Sequence, residues 1–185
     1  GIYQPVGDSI GIGGAIRAAR NIPVMLSIAR DMEEVSRSDA WMINVSNPMS
    51  ILCRAVTRES NVHTIGCCHE LYGMIPFLAK YLDYDEKKWR EQLEVELLGV
   101  NHCAWMQKML INGDDGFAKL RRLLAERGIT TETKHFYNTS SPDLGRHGLK
   151  LHLFLKHGVL PYSGDRHTSE FFTEFVNRDT NKGAD

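Results

Sequence analysis

The stretch from Ala40 to Leu82 constrains the fold most, because two short apolar runs alternate across it with two helical patterns. Ala40 to Val45 (AWMINV) is short, apolar and rich in branched and aromatic residues, which suits a buried strand. Ser46-Asn47-Pro48 breaks it, and a helical pattern follows from Pro48 to about Arg58. Val62 to Gly66 (VHTIG) reads as the next strand, Cys67 to Glu70 as its loop, and Leu71 to Leu82 as a helix. Strand, loop, helix, strand, loop, helix is the order of a parallel sheet with helices on its faces. In such sheets the chemistry collects at the carboxyl ends of the strands, and Asn47 and Cys68 both fall at that edge.

Upstream, Gly7 to Gly14 (GDSIGIGG) reads as a glycine-rich loop or turn. It lacks the GxGxxG spacing and the preceding strand of a dinucleotide fingerprint. A helix is predicted from about Ile22 to Val35, with Asn21 as its cap and Pro23 in the first turn, where a missing N–H is harmless. After Asp85 the pattern changes. EVELLGVNHCAWMQKMLING predicts two strands flanking Val100-Asn101-His102, with a turn at Asn112-Gly113-Asp114. Helices are predicted over Asp115 to Arg127 and Asp143 to Lys156, with polar loop between. The change sets a boundary near residue 90, giving domains 1–90 and 91–185.

The bulk numbers exclude some functions. The chain has 185 residues with 42% hydrophobic, enough for a real core, and 22 basic against 23 acidic side chains. That balance argues against a nucleic-acid binder, which carries a basic stripe. No apolar run approaches membrane-spanning length and no signal peptide opens the chain, so neither a membrane partner nor export is expected. Cys53, Cys67, Cys68 and Cys103 suit no simple disulfide framework and read as reduced thiols of a cytoplasmic protein, with one available as a metal ligand. The absence of an initiator Met, and a final NRDTNKGAD with no closing element, read as an internal fragment.

Five places carry candidate chemistry, each beside a plainer reading. Asn47 either presents its amide to a sugar hydroxyl or a metal, or caps the helix that Pro48 opens. Cys68 and His69 can supply a metal ligand and an acid–base group, or be a buried thiol beside a surface imidazole, while Glu70 suits a helix start. His102, in its turn, is either a ligand or a half-buried structural histidine. Gly164-Asp165-Arg166-His167, with Glu170, is either a general-base segment or a helix start capped by Asp165. The glycine-rich opening is the fifth.

Taken in order, GDSIGIGG, NVSNP, GCCHE, GVNHxxW and GDRHxxEF resemble glycoside hydrolase family 4, over nearly the whole chain. The resemblance implies the distal part of a Rossmann-type NAD-binding domain, followed by a substrate domain like that of lactate and malate dehydrogenases. It implies NAD and Mn2+ (or another divalent ion) as cofactors, with Cys68 and His102 as metal ligands and Asn47 near both substrate hydroxyls and nicotinamide. Asp165 then becomes the base and His69 the acid, and Arg146 and Arg166 pair a substrate carboxylate, with ordinary surface charge as their plainer reading. The implied reaction is oxidation at sugar C3, deprotonation at C2, elimination from C1 and addition of water, which departs from the usual pair of carboxylates. His69 after the Cys resembles the branch that acts on non-phosphorylated α-glycosides, and Cys-His-Glu most resembles α-galacturonidases, with α-galactosidases and α-glucosidases close. A homo-oligomer, dimer or tetramer, is implied too. One departure stands out: the family's glycine-rich phosphate loop is missing and would lie upstream of Gly1.

Two rivals remain open from the residues. A 2-hydroxyacid dehydrogenase of lactate/malate type would share the sheet but need no metal. A non-catalytic binding or assembly module would show no activity at all.

Overall fold

A computed structural model describes residues 7–132, 147–172 and 175, and they fall into two units that divide between Cys68 and His69. The fold is α/β, with a parallel strand pair in the first unit and an antiparallel sheet in the second. The division by packing comes earlier than the change of pattern near residue 90. The helix at 70–82 is the reason: its apolar side chains belong to the core of the second unit.

The first unit runs α1 (Gly11–Val35), β1 (Trp41–Asn44), α2 (Met49–Glu59), β2 (His63–Gly66). β1 and β2 pair in parallel, Trp41 opposite His63 and Asn44 opposite Gly66, as the alternation of elements predicts. Met42 turns inward onto Ala29 and Val56, flanked by Met25, Met32 and Val62. The opposite face of the pair, with Trp41, Ile43 and Ile65, is exposed. α1 corrects the predicted start at Ile22: it begins at Gly11, so Asn21 caps nothing and Pro23 lies inside the helix. A Cβ on Gly13 would come within 2.7 Å of the Gly7 carbonyl oxygen. The glycines therefore let residues 7–10 fold back onto the first helical turn.

The second unit opens with α3 (Glu70–Leu82), and after a short 3-10 turn come α4 (Trp89–Gln92), β3 (Leu93–Val100), β4 (Cys103–Ile111) and β5 (Asp114–Asp115). α5 (Gly116–Glu126), α6 (Gly148–His157), β6 (Leu160–Pro161) and α7 (Asp165–Glu170) complete the described elements. β3 and β4 are the two predicted strands, and they pair antiparallel as a hairpin around Asn101-His102, while β5 and β6 each pair with β4. Asn112-Gly113, both at positive φ, makes the tight turn into β5, the geometry that Asn-Gly favours. Asp115 caps α5, its carboxylate accepting the N–H groups of Phe117 and Ala118 at 2.9 and 3.1 Å. The core joins Met74, Leu78 and Leu82 of α3, Met106 and Met109 of β4, Leu120 and Leu124 of α5, and Leu151 and Phe154 of α6. Among the described residues, no helix is long and apolar enough to cross a membrane.

Candidate functional site

At the carboxyl end of β1 the chain is held by Asn44, the first residue of NVSNP, for which the sequence suggests no role of its own. Asn44 is 4% exposed. Its Oδ1 accepts the Ser46 N–H at 2.9 Å, and its Nδ2 donates to the Ser46 carbonyl at 3.1 Å. This side chain does for the loop what a backbone turn would do. Asn47 follows, half-buried, joined to Pro48 by a cis peptide bond. Its carbonyl accepts from Arg17 Nε at 3.0 Å, which ties the loop to α1. By backbone geometry Pro48, rather than Asn47, occupies the N-cap position of α2.

The neighbouring strand ends in Gly66, Cys67 and Cys68. A Cβ on Gly66 would lie 2.8 Å from Met49 Cγ and 3.1 Å from Cys53 Sγ, so glycine is what lets α2 approach the strand end. The Cys67 N–H continues the ladder to the Asn44 carbonyl at 2.9 Å. Cys68 thus emerges beside the 45–47 loop, at the edge where parallel sheets place their chemistry. Its thiol is free and half-buried, and Cys53, Cys67 and Cys103 are free too.

In the second unit several titratable groups converge. His102 is 3% exposed, at the turn between β3 and β4, with φ of 64°. That is the left-handed region, uncommon for a side chain of this size. Its ring stacks on the His167 ring, centroids 3.9 Å apart and planes 24° apart. His167 Nδ1 bonds Glu170 Oε1 at 3.1 Å, and its Nε2 lies 3.9 Å from Glu70 Oε1. Glu70 also accepts the Gly164 N–H at 2.7 Å on Oε2, clamping the start of α7 from a position 94 residues away. Glu70 thus does more than begin a helix. His69 is largely exposed, its Nε2 3.7 Å from Glu70 Oε1. Burial pushes the Cys103 thiol, next to His102, up from its ordinary range.

Asp165 has a different setting. It is 2% exposed, and it is the first residue of α7, with Gly164 as the cap residue. Instead of capping its own helix it reaches the start of α6, where its two oxygens accept the Leu149 and Lys150 N–H groups at 2.8 and 3.0 Å. Each oxygen of this carboxylate thus carries one backbone bond and keeps a second lone pair for another partner. The Lys150 side chain is buried as well, its Nζ against Met74 Sδ at 2.6 Å and 5.4 Å from the Phe77 ring centre. Burial pulls its ammonium down to about 8, partly offset by the charges of Asp165 and Glu70. Arg166 is exposed, and Arg146 lies outside the described residues.

Among the described residues, no three His, Cys, Asp or Glu side chains converge into a metal cage. Taken separately in the two units, the Cys68 thiol and the His102 imidazole are both donor types that divalent transition ions accept.

A family 4 glycosyl hydrolase sequence model matches residues 1–84, and the family 4 glycosyl hydrolase C-terminal domain model matches 97–184. An alpha-galacturonidase of Thermoanaerobacterium saccharolyticum is 34% identical over 178 residues, 92% of this chain and 38% of its own length. An alpha-galactosidase of Bacillus subtilis is 33% identical, covering 96% of this chain and 37% of its own. The chain therefore spans under two fifths of these relatives. The crystal structure of lplD from Bacillus subtilis superposes with a TM-score of 0.74 at 33% identity, over 92% of this chain and 40% of that one. A 6-phospho-alpha-glucosidase from gut microorganisms, solved with NAD and Mn2+, shares the fold at a TM-score of 0.67 and 18% identity, over 94% of this chain and 40% of that one.

Proposed function

Because the chain belongs to glycosyl hydrolase family 4, we propose that the protein is an NAD- and Mn2+-dependent α-glycosidase whose substrate is an α-galacturonide, with α-galactosides and α-glucosides the next candidates. What carries the reading is the match to both family 4 models, together with an alpha-galacturonidase similar over 92% of the chain. Residues 1–90 then form the distal part of the nucleotide-binding domain and 91–185 part of the substrate domain. A cytoplasmic homo-oligomer, dimer or tetramer, goes with the proposal.

When bound, NAD supplies a hydride acceptor and donor, and the metal supplies a Lewis acid. The chain's own residues do the rest. Cys68 and His102 are the proposed metal ligands, as thiolate and neutral imidazole. Asn47, on a loop pinned by Asn44 and Arg17, orients substrate hydroxyls near the nicotinamide. His69 is the proposed acid, its exposed ring beside the Glu70 carboxylate. Arg166 and Arg146 are the proposed partners of a uronate carboxylate.

Asp165 is the proposed base for the C2 proton. Its burial and its two backbone bonds favour a second assignment, in which His167, less buried and flanked by Glu170 and Glu70, takes that proton. The test is turnover of aryl α-galacturonide, α-galactoside and α-glucoside by the complete polypeptide, with and without NAD and Mn2+. Turnover that needs both supports the reading, and the preferred sugar fixes the substrate. Turnover with neither, or oxidation of a 2-hydroxy acid instead, refutes it.

A further inference from the structure

A hydroxyl from another part of the chain bonds both residues of the turn that carries His102. β6 pairs with β4, Pro161 opposite Trp105 and Leu160 opposite Met106. The next residue, Tyr162, continues alongside, its N–H donating to the Ala104 carbonyl at 3.2 Å. This brings the Tyr162 ring, 5% exposed, to the turn end of the β3–β4 hairpin. There the hydroxyl accepts the His102 N–H at 3.1 Å and lies 3.3 Å from Asn101 Oδ1, to which it donates. A phenol has one proton to give and lone pairs to receive, and both functions are used on the two residues of the turn.

His102 needs such a hold. At φ of 64° its backbone is in a conformation that costs a residue with a Cβ roughly 1–2 kcal/mol. It persists only where the surroundings over-determine it. Without the hydroxyl the buried N–H of His102 loses this acceptor, and the turn is drawn toward negative φ. The Cα–Cβ direction would then swing, and the ring would leave its stack on His167.

We propose that Tyr162 is a positioning residue for His102, its hydroxyl holding the hairpin turn in the one backbone conformation that aims the imidazole at a bound divalent metal. The inference rests on the reading of His102 as a metal ligand. Residues that orient a metal ligand typically change affinity by roughly 10–100-fold when they are lost.

Mn2+ alone serves as the probe, with free Mn2+ followed by electron paramagnetic resonance in the complete polypeptide and its variants Tyr162→Phe and His102→Ala. Thermal melting is recorded on each. Phe keeps the buried ring, so the expected result for Tyr162→Phe is a melting point near that of the parent and an affinity for Mn2+ weaker by about 10-fold or more. His102→Ala should lose more still. Parent-like Mn2+ affinity in Tyr162→Phe, beside a clear loss in His102→Ala, overturns the proposal and leaves the metal reading intact, whether or not the melting point moves. Parent-like affinity in His102→Ala overturns the metal reading itself, and the proposal with it. Should Tyr162→Phe fail to fold, Asn101→Ala removes the hydroxyl's acceptor while leaving the ring in place. It should weaken Mn2+ binding several-fold, and unchanged affinity there also overturns the proposal.

Discussion

Replacing Asp165 by Asn separates two jobs that one carboxylate is asked to do. In the structure its oxygens accept two N–H groups at the first turn of α6, from Leu149 and Lys150. Asn keeps the shape but has one acceptor oxygen, so its NH2 must face one of those N–H groups. One hydrogen bond to a charged acceptor is lost, about 1.5–3 kcal/mol. The negative charge at a helix N-terminus goes too, adding about 0.3–1 kcal/mol at exposed sites and up to about 2 in buried ones. The buried Lys150 ammonium loses one of the two charges that favour it, which pushes in the same direction. The expected cost is therefore about 2–5 kcal/mol, concentrated at α6. Amide hydrogen exchange over residues 147–157 reads that local loss, and the urea midpoint at constant slope reads its share of the whole. Exchange and midpoint both unchanged, within about 0.5 kcal/mol, would refute the claim that Asp165 holds α6. Exchange of the sugar C2 hydrogen with deuterated solvent then tests the other job. A lost anchor with C2 exchange at the parent rate removes Asp165 as base and leaves His167. Loss of both is expected if the carboxylate anchors and also takes the proton.

Two predictions concern pH. The Lys150 ammonium sits at about 8 when folded, against an ordinary value of 10.5. Between those values the unfolded chain holds the proton and the folded chain has released it, so stability rises with pH across that window. Lys150→Met, which removes the charge and keeps the length, should erase that rise in a series of urea midpoints; a rise that persists means that another group causes it. Tyr84 works in the opposite sense: burial pushes its phenol up to about 12, and its hydroxyl donates to the Ile75 carbonyl at 2.6 Å. The folded chain keeps this proton above pH 10 while the unfolded chain loses it, so stability falls from about 10 to about 12. Tyr84→Phe should flatten that fall and cost about 1 kcal/mol at neutral pH, and an unchanged alkaline limb would exclude Tyr84 as its source.

Some of this architecture is legible in the sequence because it rests on local signals. AWMINV and VHTIG are short apolar runs ended by Pro or Gly, and they fold as β1 and β2 in parallel. Asn112-Gly113 is a turn because Asn and Gly tolerate positive φ, and Asp115 caps α5 because its carboxylate can reach two N–H groups of the next turn. The start of α1 is not legible in the same way. Four glycines from Gly7 to Gly14 argue for a loop by propensity, whereas the fold uses Gly13 and Gly14 for a close approach of residues 7–10 to a helix already under way. The local cost of Gly and of Pro23 is overridden by the packing of Met25, Ala29 and Met32 against β1 and α2.

The candidate site is less legible, because its residues meet through contacts that no local spacing encodes. GDRHTSE is polar throughout and reads as one functional segment, with Asp165 as its obvious carboxylate. The fold divides that segment among separate tasks. Gly164 gives its N–H to Glu70, Asp165 turns away to the start of α6, and Glu170 orients His167, which covers His102. Only one trace of this is in the sequence: a lysine in the apolar run LKLHLFL, at a place where an unpaired charge is costly. Lys150 is tolerated there because Asp165 and Glu70, brought to it from α7 and α3, supply opposing charge. The residues that make the motif chemical and those that make it structural are thus interleaved position by position. A substitution at any one of them has to be read at both levels before a catalytic role is assigned.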